Sequence, residues 1–193
     1  MVKTVEKKEE ENLDEFEKGF LENNTEIEIV TFEYAIVKLF HSLTRWMEDC
    51  QRYVSDDDLG ANEVIVLHGI GIGEKAKTLN ELGRMLNRID FSNINYSVKK
   101  LIQLKYVEKT NLEIGSKKIV AFRVTEQGSK NIYNYFCARR NILIRIFNQT
   151  YEKNNLNFTQ TQQVLSAMKT VYDLSSNLAL DDQWKISRGK KLL

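Results

Sequence analysis

The chain has 193 residues, no proline, two cysteines and a formal net charge of +1, with 42% hydrophobic and 28% charged residues. That composition is ordinary for a globular protein, excludes a disulfide framework, and excludes a polycation, so any nucleic-acid site must come from local clustering of charge. No run approaches the roughly 20 apolar residues of a membrane span, and the acidic start MVKTVEKKEEENLDEFEKGF lacks the apolar stretch of a signal peptide, so no membrane association and a cytoplasmic location are expected.

Residues 1–30 read as an acidic N-terminal arm; residues 1–18 alone hold four Lys against six Glu and one Asp, a net of −3. Such a segment is a solvated tail, or an arm that wraps a partner through Phe16, Phe20 and Leu21. The clearest helical period follows. Phe32, Ile36, Leu39, Phe40, Leu43, Trp46, Met47, Cys50 and Tyr53 recur at three- and four-residue steps and predict a helix over 31–54. SDDDLG ends it and starts a second helix holding Val64, Leu67 and His68, with Asp58 or Gly60 near its N-cap. GIGIGEKAK reads as a loop or frayed turn, because three glycines in five residues disfavour helix.

Thr78-Leu-Asn-Glu81 is a capping box: the Thr hydroxyl can bond the amide three residues on, and Glu81 can reach back. It opens a short helix to about Leu86, a turn follows at 87–90, and another helix runs from Phe91 to Leu104 with Ile94, Val98 and Leu101 as its apolar stripe. The period then changes to two. Tyr106–Glu113 and Lys118–Thr125 read as strands of a hairpin around Ile114–Lys117, with Val120, Phe122 and Val124 sharing one face and Ile119, Ala121 and Arg123 the other. Helical periods return over 126–151 and again over 159–185, separated by NNLNFTQ. The last carries Val164, Leu165, Met168, Val171, Tyr172, Ser175 and Leu178, close to a heptad repeat.

Short helix, tight turn, amphipathic helix and hairpin make a winged helix-turn-helix. The fold class is therefore mainly α with a small β-hairpin wing, the winged domain spanning residues 57–125. Charge agrees: between Thr78 and Arg123 nine basic residues face four acidic ones, so this segment carries +5 in a chain of +1. That asymmetry suits double-stranded DNA. Outside the buried stripe, the helix from Phe91 leaves Ser92, Asn93, Asn95, Tyr96, Lys99 and Lys100 to face outward. Amides can bond adenine, and hydroxyls and ammonium groups can reach bases or phosphates. Lys117 and Lys118 supply charge on the hairpin, and Thr78 stands where the preceding helix meets the backbone. A winged-helix scaffold that binds protein is the alternative, and the net +5 argues against it.

TLNELGRMLNRIDFSNINYSVKKLIQLKYVEK and the hairpin ending KKIVAFRVTEQG resemble the MarR family of bacterial regulators. The matching features are Glu81-Leu82-Gly83, the helix from Asp90 to Val107, and Val124-Thr125-Glu126-Gln127-Gly128. The resemblance implies that residues 31–56 and 126–193 are dimerisation helices, and that the protein is a homodimer on a pseudo-palindromic operator. It also implies modulation by a small aromatic effector. His41, Thr44, Arg45, Trp46 and His68 lie where such a ligand would be held, between the dimer base and the DNA head. The extra arm and the Asn-rich, proline-free character resemble the alphaproteobacterial subgroup of L,D-transpeptidase regulators. The chain departs from the family pattern at three places: Ser116 and Lys118 replace the wing's Asp and Arg, Lys105 replaces a Gly, and Gly83 replaces a common Ala.

Other signals are weaker. GIGIGEKAKT imitates a phosphate loop, but Glu74 and Ala76 occupy the Gly and Ser/Thr positions that the motif needs. His41 and His68 have no partner at metal-ligand spacing, and Cys50 and Cys137 lie in apolar stripes. No nucleophile–base pair or paired carboxylate stands out, so neither an enzyme nor a cofactor is expected.

Overall fold

The computed structural model describes residues 24–87, 91–114, 116–154 and 157–187. The greater part of the acidic arm, Arg88 to Asp90 in the interhelical turn, and Gly115 lie outside the described residues. The chain divides into two units, Met1–Asn141 and Ile142–Leu193.

In the first unit, α1 spans Asn24–Val54 and α2 Ala61–Gly71. They are followed by α3 (Leu79–Met85) and α4 (Phe91–Gln103). The strands β1 (Val107–Ile114) and β2 (Lys117–Val124) pair antiparallel, with Val107 opposite Val124 and Ile114 opposite Lys117, and α5 (Glu126–Arg139) closes the unit. The expected helix over 31–54 is thus seven residues longer at its start, because Ile27 and Val30 continue its apolar phase although the neighbouring Glu26 and Glu28 read as tail.

The core explains the order of elements. Val64, Leu67 and Ile70 of α2, Leu82 of α3, and Ile94, Val98 and Leu101 of α4 are all at most 2% exposed. Tyr106, Val107, Phe122 and Tyr135 join them, so α2 is buried all round while α3 and α4 bury one stripe each. Truncating any of the buried leucines to Ala would cost about 2–5 kcal/mol.

Two connections differ from their sequence reading. GIGIGEKAK is only partly loop: α2 runs on to Gly71, Gly73 turns the chain at φ +75°, and Lys77 then pairs with Phe122 through two backbone hydrogen bonds of 2.8 and 2.9 Å. The Lys77 ammonium turns back to donate to the Ile70 carbonyl at 3.1 Å and to that of Ile72, satisfying acceptors that the helix end leaves open. The expected alternation on β2 also fails at its centre, where Ala121 and Phe122 are both buried; Phe122 joins the core cluster while its backbone pairs with Lys77.

After α5 comes a π-helical turn, Arg140–Ile144. The sequence period shows 126–151 as one helix, because a single wide turn shifts the phase of the apolar stripe without interrupting it. In the second unit, α6 spans Arg145–Asn154 and α7 Phe158–Ser187, with the rings of Phe147 and Phe158 4.5 Å apart. Val164, Leu165, Val171, Leu174 and Leu178 of α7 are exposed.

Candidate nucleic-acid interface

The interface is built from the cap of α3 onward. Thr78 Oγ1 accepts from the Glu81 amide at 3.2 Å, and Glu81 Oε2 accepts from the Thr78 amide at 2.7 Å. Hydrogen bonding from the Thr78 backbone, then from its hydroxyl, holds the Glu81 carboxyl below its ordinary pKa. The Thr78 hydroxyl therefore serves the cap. Asn87 adopts φ +51° just past α3, a conformation that asparagine tolerates better than most side chains.

On α4, Ile94, Ser97, Val98 and Leu101 are buried, while Ser92, Asn93, Tyr96 and Lys99 are exposed and Asn95 is half-buried. Tyr96 is 67% exposed, a large aromatic held in solvent on the face opposite the core stripe. Lys100 differs from its sequence reading. It is not simply outward: its ammonium lies 3.7 Å from Glu63 of α2, with the side chain 29% exposed. The reason is angular, since position 100 is three residues from the buried Ser97 and so shares its side of the helix.

The helix ends in a Schellman arrangement. Tyr106 N–H donates to the Leu101 carbonyl at 2.9 Å and Lys105 N–H to that of Ile102 at 3.0 Å, with Lys105 at φ +61°. The position at which the resemblance expects a glycine is left-handed in this chain and is occupied by lysine.

The wing carries exposed Lys117 and Lys118, and Lys118 stands 4.0 Å from Glu113. Arg123 and Glu108 form an exposed ion pair at 2.6 Å, worth no more than about 1 kcal/mol. A shallow groove between α3 and β2 is lined by Thr78, Leu79, Asn80, Ile119, Val120 and Phe122.

The residues expected to hold an effector are dispersed in exposure. His41 and Arg45 are exposed, Thr44 is half-buried, and Trp46 packs partly buried against the core. His68 turns to α5, its ring 4.5 Å from that of Tyr135 and 5.3 Å from that of Phe136. Burial, and secondarily the charge of Arg139, lowers its pKa to about 4. Nearby, burial pushes the Cys50 thiol up and Tyr135 up to about 12.

Two contributors were overlooked in the sequence. Glu63 is 7% exposed and accepts from the Gly60 amide at 3.0 Å and from the Ser97 hydroxyl at 2.9 Å. Gly60-Ala-Asn-Glu63 places an acid three residues after a cap, which was a legible signal. Lys77 had no such signal, because its partner Phe122 is 45 residues away.

Comparison with known proteins agrees with this geometry. Residues 59–128 match the family described as winged helix DNA-binding domain. The solved structure of the transcriptional regulator BldR from Sulfolobus solfataricus is similar at a TM-score of 0.57 and 16% identity, over 77% of this chain and 99% of that one. A MarR/EmrR family transcriptional regulator from Acinetobacter sp. ADP1 gives 0.53 and 16%, over 76% and 96%. FabT of Streptococcus pneumoniae, solved in complex with DNA, gives 0.51 and 13%, over 78% and 99%. No curated protein matches the sequence. The chain has the winged-helix fold of MarR regulators, with nothing that singles out the L,D-transpeptidase subgroup.

Proposed function

We propose that this protein is a transcription regulator that binds double-stranded DNA as a homodimer on a pseudo-palindromic operator. The observation that carries this reading is the outward face of α4. Ser92, Asn93, Tyr96 and Lys99 are exposed there, opposite the buried stripe and beside a wing tipped by Lys117 and Lys118. A helix of this kind enters the major groove, and the wing reaches flanking phosphates. FabT, of the same fold, was solved on DNA. No helix among the described residues is long and apolar enough to cross a membrane, and a cytoplasmic site of action suits the role.

Homodimerisation is supported by the exposed apolar positions of α1 and of α7, more than isolated surface residues require. Regulation by a small aromatic ligand at the junction of α1, α2 and α5 is part of the same reading. His68 brings an aromatic surface to that junction, its ring set against those of Tyr135 and Phe136, and a wall of this kind suits an aromatic ligand.

Selection of bound duplexes from a random library tests the function directly. A conserved two-fold motif is expected, and Asn93→Ala should relax preference at one position by about 1–3 kcal/mol. Recovery of unenriched sequence would sink the reading.

A further inference from the structure

We infer that Glu63 is a positioning residue that sets the rotation of α4 about its own axis, and that Lys100, half-buried against it, serves this purpose and takes no part in neutralising phosphate. The inference rests on the DNA-binding reading and names how that site is held.

Glu63 belongs to α2, which packs along α4. Its carboxylate reaches three groups: Oε1 accepts from Ser97 Oγ at 2.9 Å, while Oε2 accepts from the Gly60 amide at 3.0 Å and faces Lys100 Nζ at 3.7 Å. Ser97 and Lys100 are three residues apart and so lie on one side of α4. Ser97 is 1% exposed and Glu63 7%. The stripe of Ile94, Val98 and Leu101 fixes which broad face of α4 is buried, but apolar contacts are non-directional and allow the helix to rock about its axis. Hydrogen bonds have narrow distance and angle ranges. The Ser97 hydrogen bond, with the Lys100 ion pair at 3.7 Å on the same side of the stripe, therefore fixes the rotation that apolar packing leaves soft.

The consequence for recognition is geometric. Rotating α4 moves the exposed Asn93, Tyr96 and Lys99 across the groove together, and base contacts depend on their placement much more than phosphate contacts do. Charge bookkeeping changes as well. Lys100 faces a carboxylate already buried at the α2 start, whereas Lys99, next to it, is exposed. Each lysine that neutralises a phosphate contributes about 0.9 to the slope of log affinity against log salt, so the two lysines should differ by nearly that amount.

The test compares the full-length protein with Lys99→Ala, Lys100→Ala, Ser97→Ala and Glu63→Gln. The probes are the duplex most enriched from a random library by the wild type and a random-sequence duplex of equal length. Binding is titrated at several salt concentrations, with circular dichroism to confirm folding. Lys99→Ala should lower the salt slope on the random duplex by about 0.9 and Lys100→Ala by less than about 0.3. Ser97→Ala and Glu63→Gln should each reduce the ratio of enriched to random affinity by roughly five- to tenfold, with random-duplex affinity kept within twofold or, for Glu63→Gln, raised as Lys100 is released. If Lys100→Ala lowers the slope as much as Lys99→Ala, or the affinity ratios stay within twofold of wild type, the positioning role is overturned while DNA binding stands. A wild type that binds neither duplex removes the DNA reading itself. Should Glu63→Gln fail to fold, Ser97→Ala and Lys100→Ala decide the matter alone.

Discussion

Gly128 lies so close to Tyr106 that a Cβ on it would stand 2.1 Å from the Tyr106 carbonyl oxygen. The same carbonyl accepts from the Thr125 amide at 3.0 Å, and Thr125 Oγ1 donates to the Lys105 carbonyl at 2.6 Å while accepting from the Gly128 amide at 3.0 Å. The first turn of α5 is thereby clamped to the exit of α4. Because the obstacle is backbone, Gly128→Ala should destabilise by about 2–4 kcal/mol. Gly83→Ala makes the contrast. A Cβ there would stand 2.3 Å from the Phe91 ring, but that ring is 41% exposed and can swing away, while alanine gains about 1 kcal/mol in helix propensity. Its net effect should stay within about 1 kcal/mol. Urea unfolding of both variants checks the ranking, and equal costs would refute it.

Lys105 occupies the left-handed position that closes α4. A non-glycine residue there carries a backbone cost of roughly 1 kcal/mol that glycine avoids. Lys105→Gly should therefore raise the stability of the protein by about 0.5–1 kcal/mol, despite its greater flexibility when unfolded. Thermal unfolding that shows no gain would mean that the Lys105 side chain stabilises the fold by other contacts.

His68 makes stability depend on pH. Burial and the neighbouring Arg139 lower its pKa from 6.5 to about 4, and Nε2 has no partner among the described residues. The unfolded chain thus binds a proton that the folded chain refuses between these values. The contribution is fully present above pH 6.5 and is lost as pH falls toward 4. The whole loss should be roughly 3 kcal/mol. Denaturant titrations at a series of pH values should show this slope, and His68→Phe should flatten it. An unchanged slope in the variant would assign the proton elsewhere.

Leu165 and its neighbours on α7 form the other testable surface. Leu165 is 39% exposed, beside Val164 and one helical turn before the half-buried Met168. If α7 belongs to the dimer interface, Leu165→Glu places an uncompensated charge in an apolar contact. Sedimentation should then give monomer or aggregate where the parent gives dimer. A parent that sediments as a stable monomer at micromolar concentration would remove the homodimer from the proposed function.

The elements of the winged domain could be read from the sequence because their determinants are local. Thr78 and Glu81 are one helical turn apart, Ile94, Val98 and Leu101 repeat at the helical period, and the two strands flank a two-residue connection. The pattern Thr125 to Gly128 was visible in the same way, although only the nearness of Tyr106 explains why that position must be glycine. Tertiary structure decided what depends on partners far along the chain. Lys77 meets Phe122, and His68 becomes an aromatic contact of α5 instead of an open polar group. Lys100 is drawn from the outward face to a carboxylate 37 residues earlier. Helical period says which residues share a face. It cannot say which of the flanking polar groups finds a buried partner, because that choice is made by the neighbouring helix and by the cost of leaving a buried carboxylate unpaired.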